Sequence, residues 1–185
     1  DGCEICVDLG GEPSFWGEYN PVTYTVKVAV RGSCDIASVT FGLRKITTDG
    51  MDIKVNGETV QLRGKHDGLI FPLTGAAPTT VEEWHKYLHT IKSWGFNHLR
   101  FHTCCPPEAA FTAADMLGIF MQPELPFWGT LHGENDDDFN ADEQAYLIEE
   151  GRRILRCFGN HPSFAMMSLG NELWGEPRRM GEILA

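Results

Sequence analysis

Four short apolar runs in this 185-residue sequence each end in side chains suited to moving protons and holding hydroxyl groups. Lys65-His66-Asp67 follows the first, Arg100-Phe101-His102 the second, Gln122-Pro123-Glu124 the third and Asn171-Glu172 the fourth, with Trp128 and Trp174 close behind the last two. Any single cluster reads equally well as a solvated loop. Together they describe a sugar site, in which carboxylates act on a glycosidic bond, an arginine and histidines orient polar groups, and tryptophan faces stack on a ring. Glu172 is the sharpest of the set. It follows the apolar run Phe164 to Gly170, which predicts a partly desolvated carboxyl with its pKa raised toward general-acid use. A structural carboxylate there would need a specific partner, because an unpaired buried charge is costly.

The clusters converge only if parallel strands bring them to one edge. From Arg63-Gly64 onward the pattern supplies this. Thr79 to Trp94 is a predicted helix, with Thr80 and Glu83 as a capping box, an apolar stripe of Val81, Trp84, Leu88 and Ile91, and Gly95 as its stop. Phe96 to His102 reads as a buried strand, Pro107 to Leu117 as a helix ending at Gly118, Ile119 to Pro123 as a strand, Asp142 to Phe158 as a helix ending at Gly159, and Phe164 to Gly170 as a strand. With Glu58 to Arg63 as the first strand, this alternation predicts parallel strands with right-handed crossovers and a ligand site at their carboxyl ends. A doubly wound sheet and a barrel both fit the pattern, and no Gly-x-Gly-x-x-Gly follows the first strand. The first 60 residues differ. Tyr24 to Val30 alternates, Ser38 to Ile46 suits an extended strand, and Met51 to Val55 and Glu58 to Leu62 are joined by Asn56-Gly57, a strong hairpin signal.

Composition narrows the partners. The formal net charge of −11, with 26 acidic against 15 basic residues, argues against nucleic acid. No apolar run approaches a membrane span and no signal segment opens the chain. Of six cysteines only Cys3-x-x-Cys6 has metal-like spacing, without a second pair, and Cys104 and Cys105 read as free thiols in a loop. The acidic run Glu134 to Asp138 lacks a calcium-type ligand series and reads as a solvated loop. No metal and no cofactor is expected.

From Trp16 to Glu172 the sequence resembles glycoside hydrolase family 2, the group of β-galactosidases, β-glucuronidases and β-mannosidases. The matching stretches come in order: Trp16 through Asn20-Pro21-Val22-Thr23-Tyr24, Phe41-Gly42-Leu43-Arg44, Asn56-Gly57 with Leu62 to Asp67, Asn97-His98-Leu99-Arg100, Gly118-Ile119 to Glu124, and Asn160-His161-Pro162-Ser163 to Asn171-Glu172. Two positions depart from the pattern of many members. The stretch Arg100 to Pro106 is one residue longer, and Met167 stands where a tryptophan is common.

The resemblance implies an α/β fold: the first four strands of a TIM (β/α)8 barrel over residues 47–185, preceded over residues 1–46 by the last strands of an immunoglobulin-like β-sandwich. It implies a retaining, exo-acting β-glycosidase of galactosidase or glucuronidase type. Glu172 would be the general acid/base, Asn171 would bind the sugar 2-hydroxyl, and Arg100 would orient the nucleophilic carboxylate. His66 and Asp67 would border the sugar subsite, with His102, Trp128 and Trp174 also at the substrate and Glu124 in a supporting place. The nucleophile belongs to a later strand outside this chain, so the chain alone is expected to be an inactive fragment that needs the rest of the barrel and sandwich. A homo-oligomer is left open, and a periplasmic or secreted location is favoured over a cytoplasmic one. A related barrel glycosidase and a noncatalytic carbohydrate-binding fragment are the alternatives.

Overall fold

The computed structural model describes residues 4–185, so Cys3 of the Cys3-x-x-Cys6 pair lies outside the described residues. The N-terminal part is antiparallel. Strands β1 (Tyr24–Ala29) and β2 (Ile36–Phe41) pair from Tyr24↔Phe41 to Ala29↔Ile36. Strands β3 (Ile46–Asp49), β4 (Asp52–Val55) and β5 (Glu58–Thr59) form a second small sheet. Asn56 and Gly57 join β4 to β5 with φ of 56° and 89°, the positive pair that a type I′ turn requires. The single strand expected over Ser38 to Ile46 is instead split between β2 and β3. Between them Leu43 O accepts from Trp16 N at 2.8 Å and not from a neighbour in a named strand.

Beyond residue 63 the chain becomes α/β. Strand β6 (Gly64–Asp67), helix α1 (Val81–Ser93), strand β7 (His98–Phe101), helix α2 (Glu108–Leu117) and strand β8 (Phe120–Gln122) follow in turn, and the three strands form one parallel sheet in the order β6-β7-β8. The first parallel strand is thus Gly64–Asp67, a correction to Glu58 to Arg63. The hairpin commits Glu58 to Val55 and Thr59 to Lys54, so the chain is free to join β7 only after Arg63.

Residues 163–168 run parallel beside β8, but as two isolated bridges, Met121↔Phe164 and Glu124↔Ser168, not as the regular strand expected over 164–170. Pro123 explains the gap. It has no N–H to give, so the ladder breaks at Gln122 and resumes where Leu125 N donates to Ser168 O at 3.0 Å. Strand β9 (Trp128–Leu131), helix α3 (Ala141–Phe158), strand β10 (Asn171–Gly175) and helix α4 (Pro177–Leu184) complete the order, with β10 parallel to β9. Strands β9 and β10 and helix α4 carry too few apolar positions to be read from the sequence. Among the described residues the strands do not close into a barrel.

The main core lies between the helices and the parallel sheet. Trp84, Leu88 and Ile91 of α1 and Ala110, Phe111, Ala113 and Ala114 of α2 bury against Leu99, Phe101 and Met121. A second cluster joins the two halves: Trp16 is fully buried against Val55 and Phe120, and its indole N–H donates to Asp115 O at 2.8 Å. No helix among the described residues is long and apolar enough to cross a membrane.

Candidate active site

Strand ends β7, β8 and β10 meet around one guanidinium. Arg100, on β7, donates through Nε to Glu124 Oε1 at 2.5 Å and through Nη2 to Asn171 Oδ1 at 2.9 Å. Glu124 is fully buried just past β8, and Asn171, the first residue of β10, is buried too. Burying an unpaired carboxyl is costly, and Arg100 gives Glu124 a charge-assisted bond. The second oxygen, Oε2 of Glu124, has no hydrogen-bond partner among the described residues. Nη1 is the donor nitrogen of Arg100 that these bonds leave over.

Asp67 is held as tightly, at the end of β6. Its Oδ1 accepts from Leu69 N at 2.9 Å, while Oδ2 accepts from Lys65 Nζ at 3.0 Å and from the Tyr87 hydroxyl. Tyr87 comes from α1 and was missed by sequence reasoning; its i+3 spacing from Trp84 marks a core-facing position and carries no chemical signature. Burial pushes the Tyr87 pKa up, and the bond to Asp67 adds to this. Burial opposes the charge on Lys65, but Tyr87 and Asp67 outweigh it and raise the Lys65 pKa. Asp67, with 4% exposure, therefore braces the end of β6 and has its oxygens turned to the protein.

Aromatic groups line the open side. The His66 and His102 rings lie 4.9 Å apart, and His102 meets Trp128 edge to face at 5.1 Å. Trp128 Nε1 donates to Glu172 Oε2 at 2.9 Å, which ties β9 to β10. Glu172 has a φ of 47°, an uncommon left-handed conformation for a non-glycine residue, at a register shift in the β9–β10 pairing. Its side chain is exposed, which corrects the expectation of a desolvated mouth. The apolar run before it packs inward, but nothing among the described residues covers the carboxyl. Trp174 is 71% exposed on β10 opposite Thr130 and joins no aromatic pair among the described residues.

The structure thus brings Arg100, Glu124 and Asn171 into one hydrogen-bonded network, and His66, His102, Trp128 and Glu172 into a contiguous row. Asp67 borders this row from beneath through its neighbour His66, and Trp174 stands apart. Cys104 and Cys105, in the loop after β7, are half-buried; burial lifts their thiol pKa values to about 11 and about 12, so both are protonated and unreactive at neutral pH.

The arrangement is that of a parallel α/β fold with an arginine-paired buried carboxylate and aromatic rings at its strand ends, where such folds place their ligand sites. No family model matches the chain. It is 30% identical over 171 residues to a protein of Formosa agariphila provisionally named beta-glucuronidase, a match covering 89% of this chain and 20% of that protein. It is 26% identical over 170 residues to a beta-galactosidase of Staphylococcus xylosus, covering 86% of this chain and 17% of that enzyme. Among solved structures it resembles a glycosyl hydrolase family 2 member from Bacteroides cellulosilyticus, with a TM-score of 0.74, 26% identity, and coverage of 87% of this chain and 21% of that one. These likenesses support reading the chain as a fragment of a glycoside hydrolase family 2 protein. It spans about a fifth of the length of the curated relatives it matches.

Proposed function

We propose that the chain is the acid/base-bearing part of a retaining, exo-acting β-glycosidase of galactosidase or glucuronidase type. Residues 47–185 are read as the first half of a (β/α)8 barrel, with β6, β7, β8 and the 163–168 segment as its first four strands. Residues 1–46 are read as the end of an immunoglobulin-like sandwich. The observation that carries this reading is the guanidinium of Arg100 joining Glu124 and Asn171, one residue from Glu172.

In the proposed reaction Glu172, protonated, donates to the leaving glycosidic oxygen while a carboxylate outside this chain attacks the anomeric carbon. Glu172, now ionised, then takes a proton from the water that releases the sugar. Trp128 fixes one carboxyl oxygen, Oε2, and so aims the other. Asn171, locked through Oδ1, turns its amide N–H donors toward a sugar hydroxyl, a bond that strengthens as charge develops. Arg100 holds Asn171 and Glu124 and offers Nη1 to the nucleophile. His66, His102 and Trp128 form the wall against which a sugar ring stacks. Glu172 is exposed in the chain, so the water exclusion that general-acid action requires comes from the substrate and from residues outside the chain.

Leaving-group dependence tests the assignment. In the full-length protein, Glu172→Gln is expected to lower kcat/KM on substrates with poor leaving groups by roughly 10²–10⁴-fold and to spare kcat/KM on activated aryl glycosides, whose departure needs no acid. An equal loss on both substrate types would remove Glu172 from the acid/base role. The 185-residue chain alone is expected to show no turnover of aryl β-glycosides, and measurable hydrolysis would overturn the incomplete-site reading.

A further inference from the structure

Three residues spaced two apart, Thr40, Gly42 and Arg44, grip the loop that leads from α3 into the 163–168 segment. Thr40 O accepts from Asn160 Nδ2 at 3.1 Å. A Cβ on Gly42 would stand 2.7 Å from Pro162 Cβ, so only bare backbone fits against that ring. Arg44 donates through Nε to Pro162 O at 2.5 Å, and through Nη2 to Phe164 O at 2.5 Å and His161 O at 3.4 Å. Asp115 holds the same loop from the side of α2: Oδ1 accepts from Ser163 N at 2.9 Å, and Oδ2 pairs with His161 Nδ1 at 2.6 Å. Carbonyl oxygens have replaced water around a part-buried guanidinium. Burial accordingly lowers the Arg44 pKa, with Asp115 opposing it.

Downstream of this grip the chain forms no regular strand and is held at separate points, among them Ser168, whose O accepts from Leu125 N at 3.0 Å and whose Oγ accepts from Gln122 Nε2 at 2.5 Å. Ser163 O accepts from Met121 N at 2.7 Å, Ala165 N donates to Met121 O at 3.0 Å, and Ser168 N donates to Pro123 O at 3.1 Å. Asn171 N then donates to Phe127 O at 3.0 Å. In extended chain a slip of one residue turns every side chain to the other face, which would take Asn171 off Arg100 and Glu172 off Trp128. A weakly laddered segment takes its register from its anchored ends, and the upstream anchor is the clamp.

We propose that residues 40–44 set the register of residues 163–172, which makes Arg44 a positioning residue for Glu172 and the β-rich segment a working part of the site. This rests on the acid/base reading of Glu172. In the full-length protein, Arg44→Met keeps the stem and removes the donors. It is expected to lower kcat on poor-leaving-group β-glycosides by about tenfold or more, since small misplacements of a reacting group are costly. The kcat/KM for activated aryl glycosides should change by less than about threefold, a split that mere loss of folded protein cannot produce. Arg44→Lys, which keeps one donor head, is expected to restore part of the loss, and it carries the test if Arg44→Met does not fold. Wild-type leaving-group dependence in a folded Arg44→Met or Arg44→Lys protein would overturn the clamp. Glu172→Gln measured alongside separates the two failures: if it shows no leaving-group dependence, the acid/base reading is wrong, and if it does while Arg44 variants do not, only the clamp is wrong.

Discussion

Among the described residues the longest and most regular ladder encloses almost no core, while the shorter strands of the parallel sheet carry the core and Arg100 of the candidate site. β1 and β2 pair six residues against six without a bulge, yet Val28, Val30, Ile36 and Val39 are about half or more exposed. β7 has four residues, of which Leu99 and Phe101 are fully buried. β7 is paired on both sides and β1 and β2 only with each other, but both ladders are hydrogen-bonded along their length. What separates them is cover: α1 and α2 lie over the parallel sheet, and among the described residues nothing lies over the apolar positions of β1 and β2. Apolar burial supplies most of the driving force, so the parallel unit should hold its shape by itself and the hairpin should depend on a partner layer.

The largest expected effect tests that contrast directly. Trp84→Ala empties the fully buried centre of the α1 interface and should destabilise by about 3–5 kcal/mol, whereas Val39→Ala in the 185-residue chain should change stability by less than about 0.5 kcal/mol. Urea unfolding of both variants measures the difference, and equal losses would break the contrast. A larger loss for Val39→Ala in the full-length protein than in the chain would sharpen it. Next comes Gly170→Ala. Gly170 has a φ of 143°, and a Cβ there would stand 2.1 Å from Phe127 O, so the substitution should displace the start of β10 at about 1–3 kcal/mol. Loss of the Trp128–Glu172 contact should show in the tryptophan fluorescence. An unchanged midpoint would mean that this stretch of chain is softer than the parallel sheet. A smaller effect is expected from Thr80→Ala. The Thr80 hydroxyl caps α1 by accepting from Glu83 N at 3.4 Å and donating to Glu83 Oε2 at 2.7 Å, and its loss should lower stability by about 1 kcal/mol.

Legibility in the sequence follows the same division. Helices α1, α2 and α3 were readable to within two residues because caps, stripes and closing glycines act locally. The strand-end residues were readable because parallel α/β folds put chemistry at one edge, and the network of Arg100, Glu124 and Asn171 follows. Three features were not. The start of the parallel sheet was misplaced because Glu58 to Arg63 satisfies both a hairpin and a buried strand, and only the competition for Val55 decides. The exposure of Glu172 depends on what covers the strand mouth, which an apolar run before it does not determine. Tyr87 and Arg44 act across 20 and about 120 residues of sequence, and one-dimensional periodicity carries no trace of such partners.

The smallest expected effect concerns pH and lies inside the parallel sheet. His98 opens β7 with 7% exposure, and its Nε2 has no hydrogen-bond partner among the described residues. Burial lowers its pKa below the usual 6.5, and neighbouring Gln122 offsets part of this. At pH 7.5 His98 is neutral folded or unfolded and contributes no pH dependence. As pH falls through 6.5 the unfolded chain takes up a proton that the folded chain refuses until its lower pKa is reached, so stability falls with acidification across that window. One proton limits the slope to about 1.4 kcal/mol per pH unit. His98→Asn removes that proton, and comparing urea midpoints at pH 7.5 and 5.5 should show a shallower acid loss in the variant than in the wild type. Equal losses would mean that water reaches His98, and that the short parallel strands are less sealed than their burial indicates.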